Sequence, residues 1–272
     1  MMMSHTFVKT SSISIGSKKF MKRSSYLAAK RLLDILLAFF GLIFASPILL
    51  PVMFLIWKQD KHSPFYVAER VGKDFKPFNM VKLRSMIKNA DSTGVDSTSV
   101  NDMRITPIGQ FIRKFKLDEL TQLWNVLVGD MSLVGPRPNV KRETDLYTLE
   151  ERKLLTVKPG ITDFASIVFS DEGEILANQS DPDVAYNQLI RPGKSELGLI
   201  YLHKGSFGVD FKILIFTAIA IFSRNRALKL NAVLLSKLEV RDNLVRLAER
   251  QSPLVPTPPP GMSTIVTNRE LD

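Results

Sequence analysis

Apolar positions along the chain fall into one long block and several short periodic ones. Leu32 to Trp57 forms the block, about 26 residues whose single charge is Asp34, against the roughly 20 needed to cross a hydrocarbon core. Ser46-Pro47 lies near its middle and Pro51 one turn later. Proline removes a backbone donor and crowds the preceding turn. The helix is therefore predicted to kink or break there, with the Ser46 hydroxyl bonding a freed carbonyl. Cations flank both ends: Lys30 and Arg31 before, then Lys58, Lys61, Arg70, Lys73 and Lys76 after. Positive side chains favour the cytoplasmic face, so these flanks predict a re-entrant helix-break-helix over 30–58 that enters and leaves on one side. A kinked single span fits the composition as well.

Shorter patterns follow. Pro64 to Met86 mixes β-prone pieces with Gly and Pro and predicts a small β element. An extended Phe78–Ser85 places Met80, Lys82 and Arg84 on one face. Residues 88–103 read as a polar loop, and Thr106-Pro107 as the N-cap and first-turn proline of a helix. Ile108, Phe111, Ile112 and Phe115 share one helical face, while Leu117, Leu120, Trp124 and Leu127 share another about 100° away. That phase shift predicts two helices with a break near Lys116. The charged stretch 139–155 predicts a solvated helix, and Phe164–Phe169 a short apolar piece. Phe211–Phe222 predicts an interfacial or core helix too short to span. Ser236–Arg250 predicts an amphipathic helix, and Arg191 and Lys194 stand as charges without an identifiable partner. The basic lead-in 1–29 and the Pro-rich 251–272 are predicted to be disordered. The expected fold class is α-dominant α/β, a monotopic membrane protein with amphipathic interfacial helices and a small β element. Residues 59–205 form its central domain and 206–250 a helical extension.

Lys and Arg outnumber Asp and Glu by 37 to 27, a net charge of +10 over 272 residues. Such a chain favours anionic partners: membrane lipids, phosphorylated substrates or nucleic acid. No nucleic-acid recognition motif supports the last, and the long apolar block argues against it. The absence of cysteine excludes disulfides and thiolate metal sites. His5, His62 and His203 are scattered, so the metal class left is a hard cation held by carboxylate and phosphate oxygens.

Candidate chemistry concentrates between Arg113 and Pro138. Asp118 and Glu119 fall in the first turn of the second predicted helix, where free N–H groups favour ionised carboxylates. A low-pKa Asp beside a Glu suits a nucleophile with a metal ligand or base, and the same pair fits a solvated acidic helix start. Lys82 and Arg84, two residues apart, suit a diphosphate or a solvated strand face. Arg137 stands in a stiff Gly-Pro-Arg-Pro turn at 135–138. On an unbroken helix Arg113 would point about 140° away from Asp118, so the break near Lys116 is what brings the two together.

KRLLDILLA with Ser46-Pro47, VKLRSM at 81–86, the block from Arg104 to Pro138 and KPGIT at 158–162 occur in the order of a known family. Over about Lys30 to Tyr201 the chain resembles the bacterial sugar transferases, small monotopic polyprenyl-phosphate phosphoglycosyl transferases that start surface glycan assembly. The resemblance implies transfer of a phospho-sugar from a UDP-sugar to a polyprenyl (undecaprenyl) phosphate through a phosphosugar–Asp intermediate, with Mg²⁺. It makes 59–205 the catalytic domain and Asp118 the nucleophile. Glu119 becomes metal ligand or proton acceptor, and Asp118 and Glu119 together the metal site. Lys82, Arg84, Arg113 and Arg137 would hold phosphates, with Ser46 and Pro47 breaking the membrane helix. It implies a bacterial inner (cytoplasmic) membrane location with the site facing the cytoplasm. Downstream glycosyltransferases and a second copy of the chain stand open as partners. Asp163, Phe164 and Ser166 depart from the Gly, Trp and Gln found in many members, which leaves the sugar open. A non-catalytic membrane-surface scaffold that gathers anionic lipids or glycan-assembly enzymes is the alternative from another class.

Overall fold

The computed structural model of the chain describes residues 23–90, 102–177 and 179–268. Most of them are helical. Helix α1 runs from Arg23 to Asp60 without interruption, 38 residues or about 57 Å. The predicted break at Ser46–Pro47 is therefore absent, and the helix starts seven residues earlier than expected. Ser46 Oγ donates to the Ile43 carbonyl at 2.7 Å. That is the acceptor Pro47 leaves unpaired, so the side chain replaces the missing bond and the helix continues.

One stripe of α1 is buried along its whole length: Asp34, Ala38, Ala45, Leu49, Val52 and Ile56. Spacings of three, four and seven residues keep these side chains on one face. The rest of the circumference exposes Leu36, Phe40, Phe44, Leu50 and Phe54, among others. Both ends are tied to the same body. Lys30 pairs with Asp210 at 2.8 Å near the start, and Asp60 takes a two-pronged bond from Arg84 at the end. Among the described residues α1 is the one helix long and apolar enough to cross a membrane.

Strands β1 (Phe65–Val71) and β2 (Pro77–Leu83) form the expected antiparallel hairpin, with Tyr66 opposite Lys82. Residues 91–101 of the predicted polar loop, and 1–22 of the lead-in, lie outside the described residues. Helix α2 (Pro107–Lys114) begins at Thr106, whose hydroxyl accepts from the Gly109 amide. Lys116 adopts φ 56°, in the left-handed region, and separates α2 from α3 (Leu117–Leu120). A further turn at Thr121–Gln122 starts α4 (Leu123–Val128). That second turn is a correction: Trp124 does not join Leu117 inside but is 55% exposed, together with Phe111, Phe115 and Val128.

A second small sheet pairs β3 (Ser132–Val134) in parallel with β4 (Gly160–Thr162). Helix α5 (Lys141–Asp145) lies between them, followed by a 3-10 turn at Glu151–Thr156. The stretch 139–155 is thus not a solvated helix, because Glu151, Leu154 and Leu155 are buried. After β4 come α6 (Phe164–Val168), α7 (Glu172–Leu176), α8 (Pro182–Ala185), a π turn at Tyr186–Ile190 and α9 (Arg191–Lys204). Then follow α10 (Phe207–Phe222), α11 (Arg224–Lys237) and α12 (Asp242–Glu249). The amphipathic helix expected over Ser236–Arg250 is split, since Glu239 adopts φ 56° between α11 and α12.

The main core gathers Leu123, Val126, Phe164, Ile190, Leu197, Ile213, Leu235 and Leu244. Helices α10 to α12 therefore share the core of the central domain rather than extending from it. The Pro-rich segment is also held: the Thr257 amide donates to the Gln188 carbonyl, and Gln188 Nε2 to the Val266 carbonyl. Thr148 Oγ1 donates to the Pro260 carbonyl.

Arg191 and Lys194 both have partners. Lys194 pairs with Glu172. Arg191, 2% exposed, donates to Glu151, 0% exposed, through Nε and Nη2, and Ser195 Oγ adds a bond to the same carboxylate. Removing one partner leaves the other charge buried and uncompensated. Glu151→Leu is expected to lower the unfolding free energy by about 3–5 kcal/mol, measured by chemical denaturation. A loss below about 1 kcal/mol would show that the pair does not hold this region together.

Candidate active site

Three separate segments converge on Asp118 and Glu119. Asp118 lies at the start of α3, directly after the left-handed Lys116. Because the chain turns there, Arg113 at the end of α2 faces back toward Asp118 while its Nε donates to Ser85 Oγ at 2.9 Å. Strand β2 supplies Lys82, whose charge acts on both carboxylates. The turn after β3 supplies Arg137, which donates from Nη1 to Glu119 Oε1 at 3.1 Å and to the Ile161 carbonyl at 3.0 Å.

Two glycines hold that last turn. A Cβ on Gly160 would meet the Gly135 nitrogen at 2.1 Å, so β3 and β4 approach too closely for any side chain. The Gly160 amide donates to the Pro136 carbonyl at 2.9 Å and the Gly135 amide to the Thr162 carbonyl at 3.0 Å. Arg137 therefore projects from a frame bonded on both sides.

The electrostatics separate the two acids. Burial pushes the Asp118 carboxyl above the ordinary carboxylate range, against the pull of Lys82. This reverses the expectation of a low-pKa Asp. Helix α3 has four residues, too short for a substantial dipole, so desolvation dominates. Burial would raise Glu119 too, but Arg137, Lys116 and Lys82 outweigh it and hold it below the usual range. Burial and the nearby Arg137 bring the Lys82 ammonium down to about 8, although both carboxylates resist. Asp118 Oδ1 is buried with no hydrogen-bond partner.

All of these side chains line one open cleft of about 1650 Å³, larger than the roughly 300–1,000 Å³ of an ordinary small-molecule pocket. It has room for two ligands or one long one. Arg84 reaches the edge of this cleft, but both its Nη groups are bound to Asp60, so it anchors the end of α1. Three residues to which the sequence assigned no place in the site also line the cleft: Asp163, Glu172 and Lys194. Asp163 caps α6 by accepting from the Ser166 amide at 2.7 Å. Burial tends to raise Glu172, but Lys194, Arg137 and Lys116 keep it below the ordinary range. The available signal was the acidic run at 171–174 in a basic chain; its partners are distant in sequence.

A sequence profile of bacterial sugar transferases matches residues 25–224. A Bacillus subtilis protein provisionally named undecaprenyl-phosphate N-acetylgalactosaminyl 1-phosphate transferase is 47% identical over 117 residues, covering 43% of this chain and 65% of its own. An uncharacterised sugar transferase of the same organism is 37% identical over 188 residues, 69% of this chain and 84% of its own. The UDP-glucose:undecaprenyl-phosphate glucose-1-phosphate transferase of Klebsiella pneumoniae is 34% identical over 202 residues, 73% of this chain and 41% of its own. The chain thus spans less than two thirds of the first and third of these relatives. With the profile covering residues 25–224 of 272, the protein belongs to the bacterial sugar transferase family.

Proposed function

We propose that this chain is a phosphoglycosyl transferase that moves a sugar phosphate from a UDP-sugar to undecaprenyl phosphate. The observation that carries the reading is an adjacent acid pair surrounded by Lys82, Arg113 and Arg137 in one open cleft. Phosphoryl transfer requires positioned reactants and cations around the moving group, which this arrangement supplies. The relatives named for this reaction support it, and their names carry different sugars, so the donor sugar is left to experiment.

In the first step Asp118 attacks the β-phosphorus, the bond to the bridging oxygen breaks, and UMP leaves. The sugar phosphate is then held as an acyl phosphate on Asp118. In the second step a phosphate oxygen of the lipid attacks the same phosphorus and displaces the carboxylate, giving undecaprenyl-diphosphate-sugar. Splitting the transfer this way lets a soluble donor and a lipid acceptor use one cleft in turn. Lys82, Arg113 and Arg137 hold phosphate oxygens, and Glu119, kept ionised, serves as metal ligand or proton acceptor.

Mg²⁺ fits the donor set. Asp118 Oδ1 is buried without a partner and Glu119 is adjacent, while no group of three or more candidate ligands occurs among the described residues. Such a pair would complete the shell with diphosphate oxygens and water. The bound ion would neutralise charge on the phosphoryl oxygens.

Helix α1 is read as the anchor of a monotopic protein in the bacterial inner membrane, with the cleft facing the cytoplasm; its unbroken course does not support the re-entrant path. Lys30 and Asp60, near its two ends, tie it to the folded body, so its exposed apolar face is what is left for lipid. The exposed Phe111, Phe115 and Trp124, with Phe207 and Phe211 on α10, extend the apolar surface beyond α1. Aromatic residues of this kind settle at headgroup level.

The direct test is UMP release by detergent-solubilised protein given undecaprenyl phosphate, Mg²⁺ and a panel of UDP-sugars. Release is expected with at least one sugar, falling about a thousandfold or more in Asp118→Asn. Normal release by Asp118→Asn would exclude the covalent route, and silence from folded wild-type protein with every sugar would favour the scaffold. The pH profile gives a second check. The Lys82 ammonium is lost as pH rises through about 8, so kcat/KM is expected to decline on that side. Lys82→Arg, charged throughout, should move the alkaline limb upward; an unmoved limb would show that Lys82 does not set it.

A further inference from the structure

The cleft has two chemically different walls. One carries Lys82, Arg113 and Arg137 and suits phosphate. The other, beyond Arg137, carries the Glu172–Lys194 ion pair with Asp163 buried beside Ser166; the paired charges cancel, so this side offers no net attraction to an anion. Arg137 joins them: it bonds Glu119 at 3.1 Å and interacts electrostatically with Glu172 and Asp163.

The mixed wall matches a neutral polyhydroxyl group. A carboxylate has about four acceptor positions and an ammonium three donors, so the Glu172–Lys194 pair keeps capacity in both directions after bonding to itself. The largely buried Tyr186 ring lies 5.1 Å from the Lys194 ammonium and backs it with a cation–π contact. In the proposed transfer the sugar is attached to the phosphorus that Asp118 attacks, so it sits beside the acid pair and Arg137.

A clamp completed by one residue from outside the family match holds this wall. Asp171, the residue before Glu172, forms an ion pair with Arg224 at 2.8 Å and accepts from Arg250 at 3.0 Å. Arg224 also donates to Ser170 Oγ, and the Arg250 guanidinium lies 5.8 Å from the Phe169 ring centroid. Arg250 ends α12, twenty-six residues past the end of the profile match at 224, and takes the left-handed φ of 53°. Its side chain is 11% exposed and that of Asp171 14%, so the pair is shielded from solvent.

The geometry points to Glu172 and Lys194 as the residues that read the donor sugar, with Arg250 positioning them through Asp171. This rests on the transferase reading above. The measurement is kcat/KM of the full chain for UDP-glucose, UDP-galactose and their N-acetylated counterparts, alongside inhibition by UMP. Loss of a bond to a charged group is worth about tenfold or more. Glu172→Gln is expected to reduce the preference for the best sugar over its nearest epimer by that factor, with UMP inhibition unchanged. Arg250→Met, which keeps the stem against Phe169, is expected to raise the donor KM and blunt the same preference while leaving kcat within about twofold. Thermal melts of both variants confirm folding.

Unchanged sugar preference in a folded, active Glu172→Gln overturns the assignment. So does equal weakening of UMP inhibition, which would place Glu172 on the uridine or the phosphates. Wild-type protein that releases no UMP with any sugar overturns the transferase reading and this inference with it.

Discussion

Two neighbouring carboxyls partly withdrawn from water need cations beside them, and that constraint organises the molecule. Asp118 and Glu119 are adjacent in the chain, yet Lys82, Arg113 and Arg137 come from a hairpin, a helix end and a turn between two short strands. Each needs its own device. The β1–β2 hairpin fixes the side on which Lys82 emerges, the left-handed Lys116 reverses the chain under Arg113, and the contact of Gly135 with Gly160 aims Arg137. Burial loads each acid with a desolvation penalty that the cations offset unequally, which is why the two carboxyls move in opposite directions.

Features governed by local chemistry were readable in advance. The phase change of apolar residues at Lys116, the Thr106 cap and the strands flanking Gly72 depend on neighbours a few residues away. The dyad and its three cations could be named, since motif resemblance preserves their order. Features governed by distant partners were not readable. Glu151 looks like surface charge until Arg191, forty residues later, is folded over it. The Pro-rich end has no periodicity of its own and is ordered by Thr148 and Gln188. Trp124 belongs to an apolar stripe on paper, but the turn at Thr121–Gln122 rotates it outward.

The fate of proline in α1 is a case of local rescue. Pro47 was expected to kink or break the helix; the serine hydroxyl takes the orphaned carbonyl, as expected, and the helix runs on past it. Packing supports the same outcome: the buried stripe from Asp34 to Ile56 follows one groove on the body, and a broken helix would abandon half of it.

That stripe also carries an implication for the order of assembly. Asp34 accepts a bond from the Leu133 amide, 99 residues further along. Lys30 and Tyr26 wait for Asp210, 180 and 184 residues away. During synthesis α1 leaves the ribosome well before Leu133 and Asp210, with an acid and a largely apolar circumference and none of these partners yet made. Until those later residues are made, something other than its native partners has to shield this helix. The nascent chain is thus most vulnerable at the element against which its later parts pack.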